Sequence, residues 1–368
     1  MSMEKNAVNS RFLEILNDGG LTDLEKSAQF TKVGSGLLKL FVEQEGFTGR
    51  IIPPEQITRE QCIPTGIEGN FYIRRPIDNG DRVNAVDVSR TGYPTGRYIS
   101  GTDYPIYLTY KESDVFEKST REIQDSYTID IQDIYENRIG LGLQKRTDKN
   151  FMAQVYSGLG YNTATGALKA GGSKQIVDFR AYHGASVSSL GVVSEMIVRM
   201  KQYFSMRSTA AQKAGTTISY TNANFEADPF KPLIASTVLM NIYDFEDFSE
   251  MPATDMGSIL RAEYFQGYKM NTFKNLNIVT TIHSDLVPRG TMLFFALPEF
   301  IGHNFEVDPI QVKTKVDSFN HMLMIKGEAF NGIGLGNFYG IWQMLFTPRG
   351  ITPAAPAQPN LTTLGITM

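Results

Sequence analysis

One cysteine, Cys62, in 368 residues excludes an intrachain disulfide framework and any site built from several thiolates. Cys62 itself reads as a small, partly buried apolar residue. No apolar run approaches the roughly 18 residues of a membrane span, and Met1–Asn17 lacks the basic-then-apolar order of a signal peptide. Both absences point to a protein made and kept in a cytoplasm. A basic excess is missing too. The chain has 35 Lys and Arg against 39 Asp and Glu, a net charge of −4, so there is no electrostatic footprint for tight nucleic-acid binding.

Catalytic and metal-binding patterns are also lacking. His183, His283, His303 and His321 lie far apart in sequence, and none falls in a paired spacing, so each reads as a surface or hydrogen-bonded histidine. Glu299 and Glu306 flank His303, but without a specific metal spacing. There is no GxSxG elbow, and Ser186 and Ser188 near His183 have no acid at a telling distance. Gly166–Ser173 has the outer spacing of a phosphate-binding loop, but Gly172 stands where the lysine is required. Gly332-Ile-Gly334-Leu-Gly336 with Gly340 lacks the dinucleotide spacing and follows no βαβ opening, so it reads as a strand or hairpin connection. No catalytic, cofactor-binding or metal-binding residue is assigned, and no cofactor is expected.

Aromatics and turn residues are plentiful. Twenty-three Phe and 17 Tyr suit large buried contacts within or between chains, and the length suggests two or three domains, or one domain with large insertions. Between Glu68 and Tyr104 the chain is punctuated by Gly69, Pro76, Gly80, Gly92, Pro94, Gly96 and Gly101. The short runs between them have the alternation of a two-stranded ribbon. Five arginines (Arg74, Arg75, Arg82, Arg90, Arg97) are matched there by five acids (Glu68, Asp78, Asp81, Asp87, Asp103). An isolated hairpin is marginal in water, so this flap calls for completion from outside, and a neighbouring copy of the chain fits best.

Around the flap, the first ~50 residues read as a mostly helical arm, more arm than core, with Thr22 positioned to cap a helix from Asp23. Residues 130–159 read as an amphipathic helix on the order of 45 Å long, weakened by Gly140 and Gly142. A second helical stripe runs from Val187 to Phe204. Strands are expected near Leu233–Leu239, Asn277–Ile282, Met292–Leu297, Ile310–Val316, Met322–Ile325 and Tyr339–Phe346. The tail from Thr347 contains Pro348, Pro353, Pro356 and Pro359 and reads as extended or disordered.

The order of elements, an arm, a flap, a long spine helix, a mixed domain and a strand-rich return, resembles the major capsid proteins of tailed phages with the Hong Kong 97 fold. The motifs that carry the resemblance are Glu136-Asn-Arg138-Ile139 and Lys145-Arg-Thr-Asp148 in the spine, Asp255-Met-Gly257-Ser-Ile-Leu-Arg261 with Phe265-Gln-Gly267-Tyr268, Leu286-Val-Pro288-Arg-Gly290, and Phe295–Gly302 followed by Lys326–Gly332. The resemblance implies an α+β capsid fold with an N-terminal arm (1–50), a peripheral domain (51–67 and 105–165), an E-loop (68–104), an axial domain (166–302), peripheral return strands (303–346) and a C-terminal tail (347–368). It further implies a non-enzymatic subunit of an icosahedral shell of hexamers and pentamers around double-stranded DNA held non-specifically. The implied partners are other copies of the chain, with portal, scaffolding and cementing proteins. The implied location is the virion capsid, assembled in a host bacterial cytoplasm. Inter-subunit contacts are expected at Arg74, Arg75, Arg82, Asp87, Arg90, Arg97 and Tyr98. The family prototype's lysine crosslink has no counterpart here, because no lysine occurs between Lys39 and Lys111. Two other readings stay open: a cellular nanocompartment shell of the same fold, and an α+β enzyme with an unrecognised site.

Overall fold

A computed structural model describes residues 14–15, 18, 20–32, 46–66, 70–78, 101–119, 139–161, 175–180, 194–205, 234–246, 272–317, 320, 322–336 and 340–348. The helices are α1 (23–32), α2 (Thr48–Ile51), α3 (Leu141–Gly158), α4 (Ser194–Ser205), α5 (Ile242–Glu246) and α6 (Pro298–Ile301). The strands are β1 (Pro54–Gln56), β2 (Ile63–Pro64), β3 (Phe71–Asp78), β4 (Gly101–Glu112), β5 (Phe116–Ser119), β6 (Ile176–Asp178), β7 (Thr237–Asn241), β8 (Thr272–Phe273), β9 (Leu276–Thr281), β10 (Thr291–Phe295), β11 (Gly302–Asp317), β12 (Met322–Leu335) and β13 (Ile341–Leu345).

The strands form two sheets. One runs β6-β13-β10-β7-β9-β8. Its central strands β7, β10 and β13 are apolar runs buried at every position, the pattern of a sheet covered on both faces. Helix α3 supplies cover through Phe151, Met152, Val155 and Tyr156, all with no exposed surface, and Phe151 lies 5.8 Å from Phe295, centroid to centroid. The Leu286–Gly290 turn is fastened from both sides. Tyr156 Oη donates to the Leu286 carbonyl at 2.8 Å. The Gly290 N–H donates to the buried Asp244 carboxylate at 2.8 Å. Gly290 has φ of +78°, and a Cβ there would lie 2.6 Å from the Phe346 carbonyl oxygen, so only glycine fits.

The other sheet runs β1-β11-β12-β4-β3-β2, with β5 also on β12. β11 and β12 form its long antiparallel hairpin. The outer edge of β11 is covered along part of its length by β1, in parallel at Asn304–Glu306. Further along, α1 covers it: the backbone N–H groups of Thr314 and Val316 donate to the hydroxyls of Thr31 and Ser27. Thus an edge that could template foreign strands is capped from within the chain. The expected cap of α1 is present as a capping box. Thr22 donates to Glu25 Oε2 at 2.9 Å through both its N–H and its hydroxyl, and the Glu25 N–H returns to Thr22 Oγ1 at 3.4 Å.

Several expectations need correction. The N-terminal 50 residues are more than an arm: Phe30 and Phe47 are buried at 0% and 2% exposure, and Phe47 belongs to the main core. Hydrophobic packing of these two rings outweighs the polar residues between them. Of the expected spine, residues 130–138 lie outside the described residues; the α-helical part, Leu141–Gly158, has 18 residues, spans about 27 Å and continues from a π-helical turn at Ile139–Gly140. The P-loop-like segment Gly166–Ser173, His183 and His321 also lie outside the described residues. Gly140 has helical dihedrals (φ −61°, ψ −52°) where the π-helical turn passes into α3. Strand β13, expected among the peripheral return strands, instead joins β10 and β6. Its five consecutive buried residues require cover on both faces, which the interior of the six-stranded sheet offers.

Candidate assembly surface

The base of the flap is a two-stranded ribbon with strict alternation. β3 and β4 pair antiparallel with Phe71 opposite Leu108, Tyr72 opposite Tyr107, Ile73 opposite Ile106 and Arg74 opposite Pro105. One face therefore carries Phe71, Ile73, Ile106 and Leu108, which join Ile57, Phe305 and Phe330 in a small core. The opposite face carries Tyr72, Arg74, Pro105 and Tyr107, and Tyr107 is 61% exposed. The period of two makes the ribbon one-sided.

Strand β4 changes role along its length. From Thr109 to Glu112 it pairs in-plane with β12. Its earlier residues cross the face of β12 over three glycines. A Cβ on Gly332 would lie 2.7 Å from Leu108, on Gly334 2.3 Å from Ile106, and on Gly336 2.7 Å from Tyr104. The alternate glycines thus form a bare track that receives the alternate side chains of β4. The Gly-x-Gly-x-Gly pattern is a strand feature, and its chemistry is packing. On the other side of β12, a Cβ on Gly327 would meet Ile139 at 2.4 Å and Leu143 at 2.9 Å. Gln154 of α3 clamps the end of that strand, donating to the Ile333 carbonyl at 2.7 Å and accepting from the Leu335 N–H at 3.2 Å. β12 is therefore pressed between the spine helix and the ribbon.

Charged and aromatic groups fix the ribbon's root. Arg75 pairs with Glu55 at 3.1 Å and lies over the Phe305 ring at 4.9 Å. His303 stacks on the same ring at 5.4 Å and faces Glu55 at 3.5 Å. Arg59 reaches Asp308 at 2.6 Å and Tyr110 Oη at 2.9 Å, while Tyr110 stacks on Phe330 at 4.2 Å. Burial pushes the Tyr104 hydroxyl up to about 12, against the pull of Arg75. Cys62 is half-buried against this small core, as its composition suggested.

Beneath the ribbon's far end sits a buried polar cluster. Lys111 is 6% exposed and donates to Thr147 Oγ1 at 3.0 Å. Burial pushes its amine down to about 7, with Arg146 adding to the shift and Asp148 opposing it. Asp148, 1% exposed, accepts from the Thr48 hydroxyl at 2.6 Å and the Thr48 N–H at 3.1 Å. Its carboxyl is raised by burial, although the Thr48 bonds work against the shift. Asp148 thereby ties α2 to α3. Among the described residues no group of His, Cys, Asp and Glu is arranged to hold a metal ion, and no described helix is long and apolar enough to cross a membrane.

Of the expected contact residues, Arg74 is on the open face and Arg75 at the root, so adjacent positions have opposite roles. Arg82, Asp87, Arg90, Arg97 and Tyr98 lie outside the described residues. The expected set did not include Tyr72 and Tyr107, which the alternation of Phe71–Arg75 against Tyr104–Leu108 places on the same face as Arg74.

No protein-family model and no curated protein sequence matches the chain. Solved structures do. The capsid structure of the cyanophage P-SCSP1u is similar at a TM-score of 0.51 and 10% identity, over 80% of this chain and 86% of that one. The bacteriophage PhiM1 mature capsid matches at a TM-score of 0.47 and 10% identity, over 80% of this chain and 84% of that one. A virus-like particle from Pyrococcus furiosus matches at 0.44 and 12%, over 84% and 97%. With two mixed sheets, a spine helix pressed on the β11–β12 hairpin and a ribbon leaving its edge, the chain has the α+β capsid fold of the Hong Kong 97 type seen in the cyanophage shell.

Proposed function

We propose that this chain is a structural subunit that assembles with copies of itself into the icosahedral shell of a tailed phage. The observation that carries the reading is the ribbon base. Its inner face is packed on the glycine track, while its outer face presents Tyr72, Arg74, Pro105 and Tyr107 to solvent. A subunit that spends a ribbon on an uncovered aromatic face, within a fold shared with a phage capsid, is built for contact between copies. Hexamers and pentamers would enclose double-stranded DNA non-specifically, with portal, scaffolding and cementing proteins as further partners, after assembly in the host cytoplasm. Residues 68–104 would serve as the clasp, and the β11–β12 hairpin with α3 as the peripheral body. The six-stranded sheet, with β13, would form the axial body.

Without a flap lysine, the clasp holds by arginine–carboxylate pairs and aromatic packing. Arg82, Asp87, Arg90, Arg97 and Tyr98 would extend it beyond the base. Velocity sedimentation of the purified chain is the test: megadalton particles protecting DNA from nuclease are expected. A monomer or dimer under every condition refutes the shell. Particles filled with protein and free of nucleic acid would transfer the reading to a nanocompartment.

A further inference from the structure

The open face of the ribbon base is the wall of a groove of about 760 Å³, to which Asn70, Tyr72, Arg74, Pro105, Tyr107 and Thr109 contribute. The Tyr72 and Tyr107 rings lie side by side, 6.1 Å apart and tilted by 45°, and form a continuous aromatic wall. Arg74 lies 5.7 Å over the Tyr72 ring and bonds its hydroxyl at 3.4 Å. The groove therefore combines flat apolar surface with side-chain donors and no carboxylate among its described lining residues. Proline-rich peptides seek that combination. A polyproline II segment has no internal hydrogen bonds, presents its carbonyls outward and repeats every three residues, and it docks in aromatic-lined grooves at low entropic cost.

The same chain contains such a segment. Pro353, Pro356 and Pro359 recur at three-residue intervals in Pro-Ala-Ala-Pro-Ala-Gln-Pro, which puts all three rings on one edge of a polyproline II helix. From Gly350 to Met368 there is no charged side chain, so the segment can be desolvated against tyrosines without stripping water from an ion. The segment is tethered to the six-stranded sheet: Pro348 packs at Gly290, and the five residues from Pro348 to Pro353 span at most about 18 Å.

We infer that the groove of the ribbon base receives the proline segment 353–359 of a neighbouring copy. The inference rests on the shell reading, which brings neighbouring copies within reach. The experiment places photoreactive benzoylphenylalanine at Tyr107 in the full chain, assembled from a mixture of heavy-isotope-labelled and unlabelled subunits. Arg74, on the same wall, is the second position should the first impair assembly. The expected result is crosslinks from the probe to peptides of residues 350–368, joining isotopically distinct chains. With the triple variant P353A/P356A/P359A their yield should fall about tenfold, as loss of one well-made contact predicts. Crosslinks elsewhere, crosslinks only within one chain, or an undiminished yield from the triple variant overturn the inference while particles formed by the unsubstituted chain leave the shell reading standing. Failure of the unsubstituted chain to form particles overturns both.

Discussion

In the six-stranded sheet β7, β10 and β13 are buried at every residue, whereas in β4 the buried Ile106 and Leu108 alternate with exposed Pro105, Tyr107 and Thr109. The first sheet is finished by its own chain, with α3 supplying cover. The second is finished on one face and left open on the other. Burial of apolar surface sets stability, so the first region should decide whether the subunit folds. The open face of the second should decide what the folded subunit does.

The contrast breaks most readily at the core. Phe294→Ala, which empties a site with no exposed surface, should cost about 3–5 kcal/mol, measured as a lower midpoint in chemical denaturation. Gly334→Ala puts a methyl 2.3 Å from Ile106 and should cost about 1–3 kcal/mol as overpacking. In hydrogen exchange the loss of protection should centre on Tyr104–Leu108, and uniform loss would show that the track is not a local device.

Lys111 sharpens the contrast through pH. Its folded amine titrates at about 7, against 10.5 unfolded, so between those values the unfolded chain binds more protons and stability rises with pH. Lys111→Met should flatten that rise and stabilise the subunit at neutral pH; an unchanged slope in pH-dependent denaturation would refute the buried, neutral lysine. Asp148 acts in the opposite sense at acid pH. Its raised carboxyl keeps its proton longer in the folded state, so its contribution diminishes as pH rises from the ordinary carboxylate value.

The smallest effect on stability belongs to Tyr107→Ala, on the open face, which should shift unfolding by no more than about 0.5 kcal/mol. Particle yield should nevertheless fall in sedimentation. A stable variant with full yield would mean that this face is not used.

The capsid-type fold was legible in the order of elements, and β9, β10 and β13 lie close to their expected positions because short apolar runs between turn residues define buried strands. The capping box at Thr22 was legible for a similar reason, since it is a local pattern. The burial of Phe30 and Phe47 was not, because their partners lie far along the chain and the intervening residues are polar. Nor was the opposite placement of Arg74 and Arg75. That follows from register, which the sequence of one strand leaves undetermined until its partner is paired. The glycine pattern at 332–336 was visible as a pattern, but its purpose depends on the crossing of β4, a relation more than 200 residues apart in sequence.

That crossing has a genetic consequence. Any missense change at Gly332, Gly334 or Gly336 adds atoms where none fit, whereas a change at Tyr104, Ile106 or Leu108 can remove them. Drift at this seam therefore runs in one direction. The strand above can be trimmed and later regrown, while the three codons below it have no neutral missense neighbours. In a saturation library scored for folded subunits, those three positions and Gly327 should tolerate the fewest alleles between Met322 and Gly336.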